Sequence, residues 1–242
     1  MSMKITRQIF IDTETTGLNK RGIPYEGHRI IEIGAVEVIN RRLTGSYFHV
    51  YIQPDRLIDT EAYNIHGISD DFLLNKPRFS EISDKFLNFI IGAELVIHNA
   101  PFDVGFINYE FNKLNRNIPK IESFCNITDS LMIARNLFPG KRNSLDALCS
   151  RYEIDNTKRT LHGALLDSYI LVDVYLAMTG GQTSLKFSID SNIQKTKVIG
   201  KVDARVKNLY PLKVIKANTQ ELANHECCLD LIQEKNCLWR MK

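Results

Sequence analysis

Acidic side chains occupy positions in this sequence that the local pattern reserves for the core. Asp12 closes the apolar run Ile9-Phe10-Ile11, and Glu14 follows two residues later on the same strand face. Asp167 heads the stripe Asp167, Leu171, Val174 and Met178, so it faces the core one turn inside a helix. Asp103 stands where a strand at Leu95–His98 passes through a short turn into a helix. An isolated carboxylate resists burial unless it is paired or holds a cation. Singly, each acid has an ordinary explanation: an arginine partner for Asp12 and Glu14, a helix N-terminus for Asp103, a cap on a neighbouring helix for Asp167. Together, four acids at element ends around one sheet edge point to an oxygen-only site. Such a site suits Mg²⁺ or Mn²⁺, whereas zinc prefers His and Cys.

The pattern around these acids predicts an α/β chain. Ile9–Ile11, the β-rich segment Arg29–Asn40 and a returning strand Tyr47–Ile52, after a turn at 41–45, make an antiparallel meander. Ile82, Phe86, Phe89 and Ile90 predict a helix over Ser80–Ile91. The strand Leu95–His98 then leads into a helix over Asp103–Asn115. A short strand at Asn126–Thr128 precedes helices over Asp129–Leu137, Ser144–Tyr152 and Gly163–Met178. Strands followed by alternating β and α indicate a mixed sheet flanked by helices. This pattern stops at Thr179-Gly180-Gly181, dividing the chain into a domain at 1–180, a polar tether at 181–209 and an appended segment at 210–242. In the last, Asn218 and Glu221 predict the capped start of a helix over Asn218–Glu234, with Leu222, Leu229 and Ile232 roughly on one face. Some 30 residues bury too little surface to fold alone, so this segment is expected to fold on a partner.

Charge follows the same division. Residues 181–242 carry 11 Lys/Arg against 6 Asp/Glu, while 1–180 carry 20 against 22. The larger part therefore has no overall basic footprint of the kind that drives tight nucleic-acid binding. No apolar run approaches the roughly 18 residues of a membrane span. A polar start and five sparse cysteines predict cytoplasmic thiols rather than a secreted disulfide framework. His225, Cys227, Cys228 and Cys237 have poor zinc-chelating spacing. Trp239 reads as an interface anchor.

Three stretches carry a resemblance. Asp12-Thr13-Glu14-Thr15-Thr16-Gly17 is similar to a D-x-E-T-T-G motif, His98-Asn99-Ala100-Pro101-Phe102-Asp103 to H-N-A-x-F-D, and His162-Gly163-Ala164-Leu165-Leu166-Asp167 to H-x-A-x-x-D. In this order they resemble the motifs of the DEDD 3′–5′ exonucleases, in the variant whose third motif carries histidine. Asn143-Ser144-Leu145-Asp146-Ala147-Leu148 extends the match, which covers 1–180. Over its whole length the chain is similar to the proofreading subunits of bacterial replicative DNA polymerases. The resemblance implies a ribonuclease-H-like fold with a flexible C-terminal tail. It also implies two divalent cations, Mg²⁺ or Mn²⁺, that hydrolyse a phosphodiester together.

By that resemblance Asp12 bridges the metals, Glu14 and Asp167 hold a nucleotide-linked ion, and Asp103 holds the other, partly through water. Asp12, Glu14 and Asp167 thereby also contact the substrate. His162 would act as general base, a role for which an imidazole with its ordinary pKa of about 6.5 is suited. Gly163 beside it is expected to supply unusual backbone angles. Thr15, Thr16, Gly17 and Leu18 would line the pocket for the 3′-terminal nucleotide of a DNA primer, with Leu18 wedged against its base. Glu61 and His66 match a Glu-x(4)-His stretch that contacts the nucleotide, and Phe102 is either core or a stacking surface. Gln182-Thr183-Ser184-Leu185-Lys186-Phe187 resembles the Q-x-x-L-x-F peptides that dock on the bacterial sliding clamp. The same likeness implies docking of 210–242 on the polymerase alpha subunit, with a small accessory subunit on the exonuclease domain. A free-standing DEDD RNase and a mainly structural polymerase subunit are the competing expectations.

Overall fold

In the computed structural model, which describes residues 6–157, 161–180 and 216–232, the apolar run Ile9-Phe10-Ile11 is the middle of the central strand. The five strands are β1 (Arg7–Thr15), β2 (Ile30–Ile39), β3 (Arg42–Tyr51), β4 (Glu94–Ile97) and β5 (Asn126–Asp129). They lie in the order β3-β2-β1-β4-β5, with β1, β2 and β3 antiparallel and β1, β4 and β5 parallel. The sheet is therefore mixed, as the sequence predicts. The meander turns over Asn40-Arg41, both at positive φ (50° and 65°), rather than at 41–45. Two left-handed residues match the twist of a two-residue hairpin, and Asn adopts that conformation readily.

Helices cover both faces of the sheet. The helices of this unit are α1 (Thr60–His66), α2 (Asp70–Leu73), α3 (Phe79–Ile90), α4 (Ala100–Lys113), α5 (Ser130–Leu137), α6 (Leu145–Tyr152) and α7 (Ala164–Thr179); a further helix, α8 (Thr219–Ile232), lies later in the chain. Ile9, Ile11, Leu95 and Ile97 bury one face against Phe86, Phe106 and Ile107 of α3 and α4. Phe10, Val36 and Val96 bury the other against Leu148, Leu171 and Val174 of α6 and α7. Coverage on both sides explains why β1 and β4 read as unbroken apolar runs. Each large side chain so buried stabilises the fold by roughly 1.5–3 kcal/mol.

The strand alternation carries straight into the acids. Asp12 and Glu14 continue the Phe10 face, toward α7, while Thr13 continues the Ile11 face, toward α4. Parallel pairing of β1 with β4 ends at Ile11↔Ile97, where the chain leaves through His98-Asn99 into α4. Residues 12–15 of β1 consequently project past the end of their neighbour. A crevice opens at the carboxyl end of the central strand, the usual ligand position in open α/β sheets.

Two contacts seat the helices around this crevice. The guanidinium of Arg29 donates to both oxygens of the buried Glu110 carboxylate (2.8 and 2.6 Å), which also accepts from the Ile30 N–H (3.1 Å). This ties α4 to the start of β2. Gly34, opposite Asp12 in the β1–β2 register, lies directly beneath the first turn of α7. A Cβ there would fall on the Ala164 carbonyl and the Leu165 nitrogen, and the buried Ser168 hydroxyl donates to the Gly34 carbonyl at 2.8 Å. Gly34 thus sets how close α7, and Asp167 with it, comes to β1.

Contacts divide the chain into two units, Met1–Leu185 and Lys186–Lys242. In the second, α8 begins one residue after Asn218, whose side chain accepts from the Glu221 N–H while Glu221 accepts from the Asn218 N–H, both at 2.8 Å. The predicted reciprocal cap is present. Leu229 is buried and Leu222 exposed. The tether at 181–209, the peptide at 182–187, the ends of the 210–242 segment and Trp239 lie outside the described residues. Among those described, Cys125, Cys227 and Cys228 are free thiols, and no helix is long and apolar enough to cross a membrane.

Overpacking a site that meets backbone on the far side is not relieved by side-chain rotation. Gly34→Ala is therefore expected to cost about 3 kcal/mol, lowering Tm by roughly 6–12 °C. Ser168→Ala should cost about 1 kcal/mol. Thermal melts of the full chain read both, and an unchanged Tm for Gly34→Ala would refute the close contact.

Candidate active site

At the end of β1, Glu14 meets the N-terminus of α7 and the loop before it. Ligand atoms of Glu14, His162 and Asp167 all lie within 4.8 Å of one another. Asp167 is 2% exposed, and its Oδ2 is 3.5 Å from His162 Nδ1. The His162 side chain is 45% exposed, open to solvent on one side of an otherwise buried group. Gly163 is at φ −151°, ordinary extended backbone with open space around its Cα. The expectation of unusual backbone angles there is not met, because the chain enters α7 without a sharp turn.

Asp103 approaches from the other face of the sheet. The helix carrying it begins at Ala100, three residues earlier than predicted, because Asn99 takes the left-handed conformation (φ 72°) and Pro101 fits the first turn. Asp103 therefore sits inside the first turn of α4, 3% exposed. The Thr13 hydroxyl donates to its Oδ1 at 2.7 Å. Burial pushes the Asp103 pKa up to about 7, with the nearby Asp129 charge adding to the rise and hydrogen bonds from Thr13 and the backbone opposing it. A carboxyl half-protonated near neutrality, beside acids it would repel if charged, is suited to a cation.

Two cavities meet here. One of about 250 Å³ is lined by Asp12, Glu14, Asp103, His162 and Asp167, together with residues of the second motif and of the start of α6. Thr13, Glu14 and Phe102 also border the second, about 720 Å³, which has room for a nucleotide. Thr15, Gly17, Leu18, Glu61 and His66 line that larger pocket, as does the rim pair Lys20–Glu61 at 2.5 Å. Gly17 is at φ +138°, and a Cβ on it would collide with the Asp59 carboxylate, so glycine is required. Leu18, 46% exposed, and Phe102 are apolar members of the same lining.

His66 is 5% exposed, and its Nδ1 accepts from the Ile68 N–H at 3.0 Å. Its ring proton is thereby placed on Nε2, which makes no hydrogen bond among the described residues. Burial holds its pKa below the ordinary imidazole value, against the pull of the Thr15 backbone and Glu32. A neutral donor that lines the pocket suits a ligand oxygen. Thr16 is different: fully buried, its hydroxyl accepts from the Arg29 N–H (3.0 Å) and lies 3.4 Å from His28 Nδ1. It braces the pocket from beneath and borders neither cavity.

Thr13, Gly34 and Lys20 were not singled out from the sequence. For Thr13 a signal existed, since it is the polar member of the alternation Ile9, Ile11, Thr13. The close approach at Gly34 involves residues some 130 positions apart and has no local signature.

An exonuclease family model, RNase_T, matches residues 9–175. The chain is 61% identical to the DNA polymerase III subunit epsilon of Escherichia coli K12 over 99% of its length and 100% of that protein. It is 55% identical to the subunit of the same name from Pasteurella multocida, over 98% and 94%. Among solved structures, exonuclease X in complex with 5′-overhanging duplex DNA is 29% identical with a TM-score of 0.51, covering 72% of this chain and 94% of that one. The nuclease domain of 3′hExo, a DEDDh member bound to rAMP, shares the fold at 18% identity and a TM-score of 0.58, covering 74% and 94%. The chain belongs to the exonuclease family and, within it, to the DNA polymerase III epsilon subunits.

Proposed function

We infer that this chain is the proofreading 3′–5′ exonuclease subunit of a bacterial replicative polymerase, working in the cytoplasm on mismatched primer ends. The observation that carries the reading is the meeting of Glu14, His162 and Asp167 at the junction of a carboxylate-lined cavity with a nucleotide-sized pocket. Oxygen donors from Asp12, Glu14, Asp103 and Asp167 fit two hard divalent cations, Mg²⁺ or Mn²⁺. Such ions, when bound, supply charge stabilisation to the attacking and leaving oxygens.

The protein's own groups do the rest. The terminal base packs against Leu18 and Phe102, with Thr15 and Gly17 at its edge. His66 Nε2–H and Glu61 contact the nucleotide from α1. Asp167, facing His162 Nδ1, orients the ring so that Nε2 takes the proton of the attacking water. Selectivity follows from access. A mismatched end frays at little energetic cost, whereas a paired end must unpair to reach the pocket. Identity with the epsilon subunits extends through the C-terminal segment, which supports docking of 210–242 on the alpha subunit. The peptide at 182–187 is proposed to bind the clamp, and a small accessory subunit to bind the exonuclease domain.

The test is hydrolysis by the full chain, with Mg²⁺ or Mn²⁺, of matched and mismatched DNA primers and of RNA primers, with and without polymerase. Release of nucleoside 5′-monophosphates from mismatched DNA 3′ ends is expected. RNA preference, or no hydrolysis with either Mg²⁺ or Mn²⁺, would overturn the reading. His162→Ala should retain 3′-end binding while kcat falls about 100-fold or more.

The buried Asp103 gives a pH signature to the metal-free protein. Its folded pKa, about 7, lies above its ordinary value of 3.8. Its contribution to stability is thus fully present below pH 3.8 and lost as pH rises through 7. Metal-free Asp103→Asn should be more stable than the parent at pH 8, by on the order of 1–3 kcal/mol, and should lose part of the decline between pH 4 and 8. Denaturant melts with and without Mg²⁺ check this; an identical pH profile for parent and variant would refute it.

A further inference from the structure

A second groove, of about 670 Å³, runs from the carboxylate-lined cavity over the ends of α5 and α6. It shares His98, Asn99 and Ser144 with that cavity and shares no lining residue with the 720 Å³ nucleotide pocket. The three spaces therefore follow one another: nucleotide pocket, carboxylate-lined cavity, groove. Arg135 and Lys141 line the groove, and no carboxylate does. Among the described residues neither cation has an acidic partner within ion-pair distance. Elsewhere in the domain Arg7 is paired with Glu37, Arg29 with Glu110 and Arg116 with Asp84.

The loop between α5 and α6 is braced rather than loose. The Asn143 amide donates to the carbonyls of Phe138 and Lys141 (3.3 and 3.1 Å) and accepts from Arg151 at 3.2 Å. Arg151 also lies over the Phe138 ring, 4.2 Å from its centroid. Lys141 is thus presented from a fixed backbone.

We propose that this groove is a phosphate track for the single strand upstream of the scissile bond, with Arg135 and Lys141 contacting successive backbone phosphates. The proposal rests on the exonuclease reading. With the terminal nucleotide in the large pocket and its phosphate at the carboxylates, the strand must leave on the side away from the large pocket, where these cations stand. Cations on that path hold a frayed strand in a domain whose overall charge is slightly negative.

The double variant Arg135→Ala/Lys141→Ala in the full chain tests this with two substrates. One is a single-stranded DNA of about ten nucleotides; the other is a nitrophenyl ester of thymidine 5′-monophosphate, which has no upstream phosphate. On the oligonucleotide, KM should rise roughly tenfold, and the slope of log(kcat/KM) against log[salt] should shrink by about 1.4, two phosphate contacts' worth for a single strand. On the nitrophenyl ester, kcat and KM should stay within about twofold of the parent. An unchanged oligonucleotide KM and salt slope would overturn the proposal, and so would equal losses on both substrates. If the parent protein hydrolyses neither substrate, the exonuclease reading fails, a result separable from loss of the track alone.

Discussion

Mutual repulsion among carboxylates held at one end of an apolar sheet is the constraint on which this structure turns. Four such groups in one small volume oppose folding through both desolvation and like charge. The fold distributes that cost over independent supports. Asp12 and Glu14 project from a strand whose preceding residues are locked in both halves of the core. Asp167 rides on a helix seated against Gly34. Asp103 comes from the opposite face, half neutralised by its own raised pKa and held by Thr13. No single element carries more than two of the acids, so their spacing is set by packing between rigid pieces rather than by any loop.

That arrangement explains why much of the site was legible from sequence. A charged residue in an apolar period is visible wherever the period itself is regular, as on β1 and α7. The helices that were missed, α1 and α2, are seven and four residues long, too short for a 3.6-residue period to emerge. Glu61 and His66 were found only through a motif, and nothing local showed that a helix holds them over the pocket. The sequence pattern starts this helix only at Asp103, because a strand-to-helix junction ordinarily needs several residues. The left-handed Asn99 shortens it and draws the acid into the helix. Thr16 and Gly34 have roles set by distant partners, Arg29 for the first and Ala164 and Ser168 for the second, and such pairings leave no trace in a local window.

Histidine appears twice in the proposed chemistry, and its surroundings separate the two roles. His66 is buried, kept neutral by desolvation, and fixed in one tautomer by the Ile68 N–H. Those properties make a constant hydrogen-bond donor and a poor proton acceptor. His162 is half exposed, sits ahead of a helix on extended backbone, and faces a carboxylate through Nδ1. Its side chain is open to water, and the Asp167 carboxylate lies 3.5 Å from its Nδ1. The division between a fixed donor and a proton-accepting base is therefore one of burial, not of residue type.

The charge division of the chain gains a physical meaning from the same geometry. A domain with slightly more acids than bases cannot attract DNA over long range, and any screened net attraction decays within about 8–10 Å at physiological salt. It can still hold a strand delivered to it, provided the few cations on the strand's path are not consumed by internal ion pairs. Arg29 and Arg116 are so consumed; Arg135 and Lys141 have no such partner among the described residues. Weak capture with a few local contacts suits an editor attached to a polymerase. A nuclease that bound DNA tightly on its own would compete for paired primer ends, and selectivity based on fraying requires that it not do so.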